Sequence, residues 1–223
     1  MSPRARVDHL VVAAADLDEG VAWCREMLGI EPAGGGEHPL MWTHNRVFRV
    51  DSPAFESAYF EIIAIHPAVP APARVRWFDL DDPGMRESLA HGPRLIHFVA
   101  RTDDAASAVA ALAMQGIDRG APIAAERGTL RWKITLRPDG RRLFDGALPT
   151  VIEWNGAHPC DALPASGVAL QSLAAGHPEA DRLRSAYEAI GLTQVPVERA
   201  EPRLIATLSS PKGLVRIESK GIA

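Results

Sequence analysis

The chain has 223 residues, 47% hydrophobic and 23% charged, the balance of a globular protein able to bury a core. Its 24 Lys and Arg against 28 Asp and Glu leave a net charge of −4, which argues against a general nucleic-acid binder, whose basic excess gathers on one face. No apolar run reaches the roughly 18 residues of a membrane span, the opening stretch is broken by Asp8 and Asp16 and makes no convincing signal peptide, and Cys24 and Cys160 are too few for a disulfide framework, so a cytoplasmic setting is expected.

Along the chain, one plan recurs. A short apolar strand over Val7–Val12 leads to a helix whose Leu17, Val21, Cys24 and Leu28 share a face, with Asp16 and Glu19 as a capping box, ending at Gly29. Residues 40–50 and 58–65 then read as strands. Residues 66–94, rich in Pro and Ala and then charged, read as an extended linker with one turn of helix near Pro83–Leu89. A second strand, Leu95–Val99, is followed by capping candidates Thr102 and Asp103 and a helix with Ala106, Val109, Ala110 and Ala113 on one face. It ends at Gly116, before strands at 129–137 and 149–155. Past a boundary at 156–167, a third strand and a helix with Leu183, Tyr187 and Ile190 end at Gly191, with strands at 203–209 and 213–219. Each of these glycines stands where a helix closes in the left-handed conformation.

The unit is therefore β-α-β-β-β, used three times. Units of about 55 to 65 residues bury a helix-and-sheet layer poorly alone, so pairing is expected. The expected fold class is α+β, with two paired units forming one curved mixed sheet. Module one is 5–67, the linker 68–93 and module two 94–160, together a domain over 1–160; a third unit covers 166–223.

Four residues are out of place in these strands. His9 and His97 lie in the first strands of two successive units, and Glu61 and Glu153 lie in the last ones. The His pair is 88 residues apart and the Glu pair 92, close to the 87 separating Gly29 from Gly116. A buried ionised carboxylate costs several kcal/mol unless it is paired or binds a metal. Brought to one face, two imidazoles and two carboxylates suit a divalent Ni, Zn, Fe, Mn or Co ion with positions left open for substrate. The blander alternative is that strand histidines are hydrogen-bonded core residues and strand glutamates face solvent.

Paired β-α-β-β-β units with His on the first strand and Glu on the last resemble the vicinal-oxygen-chelate superfamily, which includes glyoxalase I, methylmalonyl-CoA epimerase, extradiol dioxygenases and bleomycin-binding proteins. The four-residue set resembles glyoxalase I most. Within the superfamily, residues 7–65 resemble the glyoxalase-like domain group, whose pattern G-G-x-H-P-x-x-G-T-x-N stands here as Gly35-Gly36-Glu37-His38-Pro39-Leu40-Met41-Trp42-Thr43-His44-Asn45, followed by Tyr59-Phe60-Glu61-Ile62. Trp42 stands where that pattern has Gly. The third unit has Ala169 or Leu170 at the His position and Arg216 at the Glu position, so packing or self-association into a homodimer is expected of it rather than metal binding.

The resemblance implies a metal-dependent lyase, isomerase or epimerase acting on a small carbonyl or vicinal-oxygen substrate. Glu153 is the favoured base and Glu61 the alternative; His38, Asn45 and Trp132 would contact substrate. Phe60, Phe98 and Trp154 are further candidates for aromatic walls, although strand aromatics are more often core. His66-Pro67 and His158-Pro159 read as strand terminators. Two alternatives remain, a small-molecule binding or antibiotic-resistance protein without turnover and an extradiol-type dioxygenase; no nucleic-acid or membrane partner is expected.

Overall fold

The computed structural model describes residues 4–68 and 73–219; residues 69–72 of the expected linker, and residues 1–3 and 220–223 at the ends of the expected modules, lie outside the described residues. The first unit runs β1 (Arg6–Ala13), α1 (Leu17–Leu28), β2 (Gly34–His38), β3 (Thr43–Arg49) and β4 (Tyr59–Ile65). After α2 (Pro83–Leu89), the second runs β5 (Arg94–Arg101), α3 (Ala105–Met114), β6 (Ala121–Arg127), β7 (Leu130–Leu136) and β8 (Thr150–Trp154). A short α4 (Pro159–Ala162) precedes β9 (Ala169–Gly176), α5 (Ala180–Ala189), β10 (Val197–Glu198), β11 (Arg203–Ser210) and β12 (Gly213–Glu218).

The first two units join into one eight-stranded mixed sheet, ordered β2-β3-β4-β1-β5-β8-β7-β6. In each unit the first strand lies parallel to the last, β1 to β4 and β5 to β8, and the units meet where β1 and β5 pair antiparallel. The third unit has the same element order with different wiring. Its sheet runs β10-β9-β11-β12, so its first strand lies between its second and third.

Alternation of side chains along the strands gives this sheet two buried faces. On one, Leu10, Val12, Phe60, Ile62, Phe98 and Ala100 pack in a single core with α1, α3 and the third unit's Leu170, Leu173, Leu183 and Leu204. On the other, Val11, Ala13, Ile63, Val99, Ile134 and Ile152 lie under Trp77, Phe78, Leu80 and Met85. Residues 77–89 of the expected linker thus lie across this second face, seated there by the apolar residues among their charges.

The third unit packs on the rest of its own chain, one of the two roles expected of it. Ala5 N–H donates to Ile190 O at 2.8 Å, Leu170 N–H to Val50 O at 2.8 Å, and the Tyr187 hydroxyl to Ala147 O at 2.5 Å. The second strands β2, β6 and β10 were not foreseen as separate strands, because Gly-rich, short or solvent-facing segments carry little β signal. The α3 cap is Asp104, whose side chain accepts from Ser107 N–H, in place of Thr102 or Asp103. Its buried face is Ala105, Ala108 and Leu112 rather than Ala106, Val109, Ala110 and Ala113, since a helix apolar all round carries little periodic information.

Gly20 packs α1 directly on β4. A methyl there would lie 2.4 Å from Ile62 Cγ2 and 3.1 Å from Ala14 Cβ. Gly20→Ala should therefore destabilise the fold by about 1–3 kcal/mol through overpacking, despite the better helix propensity of Ala. A urea midpoint that rises instead would show that α1 is free to shift.

Candidate functional site

The site begins at a bulge in β1. Val7 pairs with Ala100 and His9 with Val99, so Asp8 is the extra residue, and bulges re-aim side chains in this way. Asp8 is fully buried. Its Oδ1 lies 2.6 Å from His9 Nδ1, and its Oδ2 accepts from Trp154 Nε1 and His158 Nε2, each at 3.0 Å. Burial pushes the Asp8 carboxyl up, but the hydrogen bonds from His158 and His9 outweigh it and hold the group well below the usual carboxylate range.

With Nδ1 donating to Asp8, a neutral His9 presents the lone pair of Nε2. Nε2 lies 3.6 Å from Glu61 Oε2, beyond a direct hydrogen bond, and the ring stacks on Tyr59 with centroids 4.3 Å apart. The other Glu61 oxygen, Oε1, accepts from Asn45 Nδ2 at 2.6 Å. Asn45 Oδ1 in turn accepts from Gly36 N–H at 3.0 Å and Arg127 Nη1 at 3.2 Å. Arg127 comes from the far edge strand, so the sheet curls until β6 reaches β2. Gly36 makes room for it: a Cβ there would lie 2.9 Å from Arg127 Cδ.

His38 Nε2 lies 3.3 Å from Arg127 Nη1 and His38 Nδ1 3.0 Å from Thr43 Oγ1. Burial, then the Arg127 charge, pushes His38 down to about 3. His9, His38, Asn45, Tyr59, Glu61 and Arg127 line one cavity of about 30 Å³, walled by Trp77, Phe78, Trp132 and Trp154. That is roughly the share of one water molecule in the liquid.

The structure thus brings His9, Glu61, His38, Asn45 and Trp132 together, and leaves His97 and Glu153 outside. His97 is fully buried. Its Nδ1 donates to Gly146 O at 2.8 Å and its Nε2 accepts from Thr150 N–H at 3.0 Å, so both ring nitrogens are engaged. Glu153 faces the other side of the sheet, where Oε2 accepts from Ala105 N–H at 2.9 Å and Oε1 pairs with Lys133 Nζ at 2.7 Å. The Lys133 hydrogen bond holds its carboxyl below the usual range. Register explains the miss. Glu61 pairs with Val11, two residues past His9, whereas the residue that pairs with Val99, two past His97, is Thr150. Glu153 is three residues further, an odd step that turns it to the opposite face.

The four-residue metal set therefore does not fit. His97 has no free nitrogen, Glu153 is held elsewhere, and among the described residues no group of three or more His, Cys, Asp or Glu is arranged to hold a metal ion. Phe60 and Phe98 belong to the helix-side core rather than to the pocket wall. Sequence reasoning missed Asp8, which was read only as a break in an apolar run, and Arg127, which lies on an unforeseen strand. His158 was read as a strand terminator; it also caps α4, its side chain accepting from Cys160 N–H. Trp42 takes φ 49°, in the left-handed region that the Gly of the resembling pattern adopts freely.

Two buried neutral histidines make stability depend on pH. Burial pushes His38 from 6.5 to about 3 and His97 well below 6.5. An unfolded chain binds protons there that the folded chain refuses. Their contribution is complete above about pH 6.5 and is lost as the pH falls, at up to about 2.7 kcal/mol per unit for two groups. Urea midpoints should drop between about pH 7.5 and about pH 5; a flat profile would mean that both rings protonate in place.

Among the described residues no helix is long and apolar enough to cross a membrane. A comparison with curated proteins finds no match. Among solved structures, a hypothetical protein from Staphylococcus aureus aligns over 98% of this chain and 87% of its own with a TM-score of 0.59 at 13% identity. A variant of 4-hydroxymandelate synthase from Streptomyces coelicolor aligns over 98% of this chain and 63% of its own with a TM-score of 0.53 at 13% identity. Methylmalonyl-CoA epimerase from Mycobacterium tuberculosis covers 70% of this chain and 91% of its own, with a TM-score of 0.44 at 19% identity. The model of the glyoxalase-like domain matches residues 7–191. With the paired β-α-β-β-β units and their shared curved sheet, that match makes this chain a member of the glyoxalase-like domain family.

Proposed function

We propose that the chain is an enzyme that moves a proton at a carbon next to a carbonyl, an isomerase, epimerase or lyase step on a small molecule, with Glu61 as the base. The observation that carries this reading is the line Asp8–His9–Glu61, in which Asn45 occupies one Glu61 oxygen and leaves the other facing His9 Nε2. Glu61 Oε2 takes the proton as the C–H bond breaks, and the electron pair moves onto the carbonyl oxygen as an enolate. Arg127, without a carboxylate within ion-pair distance among the described residues, supplies the charge that meets this oxygen. His9, held in place by Asp8 through Nδ1, moves a proton to or from the same point. No step is assigned to Glu153 or His97, nor to a metal bound by the four-residue set.

The test is deuterium wash-in. In D2O, the purified protein is incubated with a panel of small keto acids, ketones and acyl thioesters and followed by proton NMR. Loss of the α-proton signal from at least one class, at a rate set by enzyme concentration, is expected. A panel in which no compound exchanges above the buffer rate contradicts the reading.

A further inference from the structure

Arg119 is 3% exposed and lies in the strand-preceding segment between α3 and β6. Its Nε donates to Pro149 O at 2.8 Å and its Nη2 to the Thr150 hydroxyl. No carboxylate comes within ion-pair distance among the described residues; neighbouring Asp118 turns away to Gly120 N–H and Arg137. A buried guanidinium held only by neutral acceptors is costly unless something anionic completes it.

Beside Arg119 lies a second small cavity, of about 10 Å³, lined also by Thr135, Gly140 and Thr150. Trp77 and Phe78 border both this cavity and the one at Glu61, and so form the partition between them. Two features mark the partition as more than filling. Trp77 Nε1 is buried without an acceptor, an unmet donor of the kind that native cores avoid. Phe78 and Asp79 both hold positive φ, 61° and 59°, in a region costly for residues with a side chain. The segment is tethered by Arg142 on Asp79 and Arg76 on Asp81, outside the two aromatic rings.

We infer that Arg119 recognises the carboxylate end of a linear oxo acid whose reacting carbon lies at Glu61, in a channel that Trp77 and Phe78 close in this structure. This rests on the proposed role of Glu61 for where the reacting end lies. Register sets the span. The reacting carbon lies between Glu61 Oε2 and His9 Nε2, on the β1 side of Glu61; from there His9 pairs with Val99 and Val99 with Thr150, two strand spacings, or about 10 Å. That is the reach of a chain of about eight carbons, so short keto acids would engage one end only. The carboxylate completes the charge of Arg119, and the Trp77 indole N–H gains an acceptor as the ring swings aside.

The test uses 7-oxooctanoate and its neutral counterpart 7-oxooctanamide, titrated by calorimetry into the whole chain. Wild type and Glu61→Gln should both bind the acid at least about tenfold more tightly than the amide, the advantage expected of a charge-assisted pair. Arg119→Met, with unchanged circular dichroism, should lose this preference. If Arg119→Met fails to fold, the Arg119 Nε–H resonance of the wild type is followed instead, and should shift with the acid and not with the amide. Equal affinity for acid and amide, no binding of either, a preference that survives in Arg119→Met, or an Arg119 resonance that ignores the acid overturns the inference. A Glu61→Gln variant that binds with the same preference yet still exchanges protons overturns the role of Glu61 and leaves the carboxylate site standing.

Discussion

Glu61→Gln should slow deuterium wash-in by about 10²–10⁴-fold while leaving the fold in place, the loss typical of removing a positioned general base. The substitution is close to isosteric. The Gln carbonyl can still accept from Asn45 Nδ2, which now meets Glu61 Oε1 at 2.6 Å. What goes is the basic oxygen opposite His9 Nε2. The loss should appear in kcat with little change in KM, because the carboxylate acts on the transferring proton rather than on binding. Equal losses in every property, melting included, would point to a structural role. An unchanged rate would place the base elsewhere.

Asp8→Ala should destabilise the fold by about 3–5 kcal/mol, the cost of stripping one partner from a buried charged cluster. Three donors converge on this carboxylate, from His9, Trp154 and His158, and alanine leaves all three without an acceptor. Asp8→Asn should cost less yet still weaken the fold, since its amide N–H₂ sets a donor where a carboxylate oxygen accepted. The charge matters as well. Asp8 ionises far below its ordinary value despite full burial. A folded value below the unfolded one means that its contribution is complete above about pH 4 and is lost only on strong acidification. A urea midpoint for Asp8→Ala within about 1 kcal/mol of wild type would show that water replaces the carboxylate.

Much of this fold was legible in the residues because its signals are local. Apolar strands, capping residues and left-handed glycines each announce themselves within a few positions, and Gly29, Gly116 and Gly191 all take φ near 70°. The α2 helix falls at Pro83–Leu89, where the linker was expected to carry one turn of helix. Half of the site was legible in the same way. His9, Glu61, His38 and Asn45 lie on neighbouring strands of one unit, where spacing within the strand decides the face.

The other half depended on register between strands far apart in sequence. A repeat offset of 88 residues for the histidines against 92 for the glutamates looked close enough, but a strand has a period of two and the pairing decides which residue follows which. Thr150, not Glu153, occupies the position that pairing makes equivalent to Glu61. Asp8 escaped notice because a bulge, invisible in composition, is what turns a charged residue inward beside a histidine. Arg127 escaped because only the curl of the whole sheet carries it to Gly36.

Glu61→Gln and Glu153→Gln, compared side by side in the same deuterium wash-in assay on the compound that the wild type exchanges fastest, test most directly which carboxylate is the base. The geometry predicts that Glu61→Gln loses about 10²–10⁴-fold and that Glu153→Gln stays within about threefold of wild type. Comparable losses in both variants would contradict it, and would return the site to a centre shared between the two units.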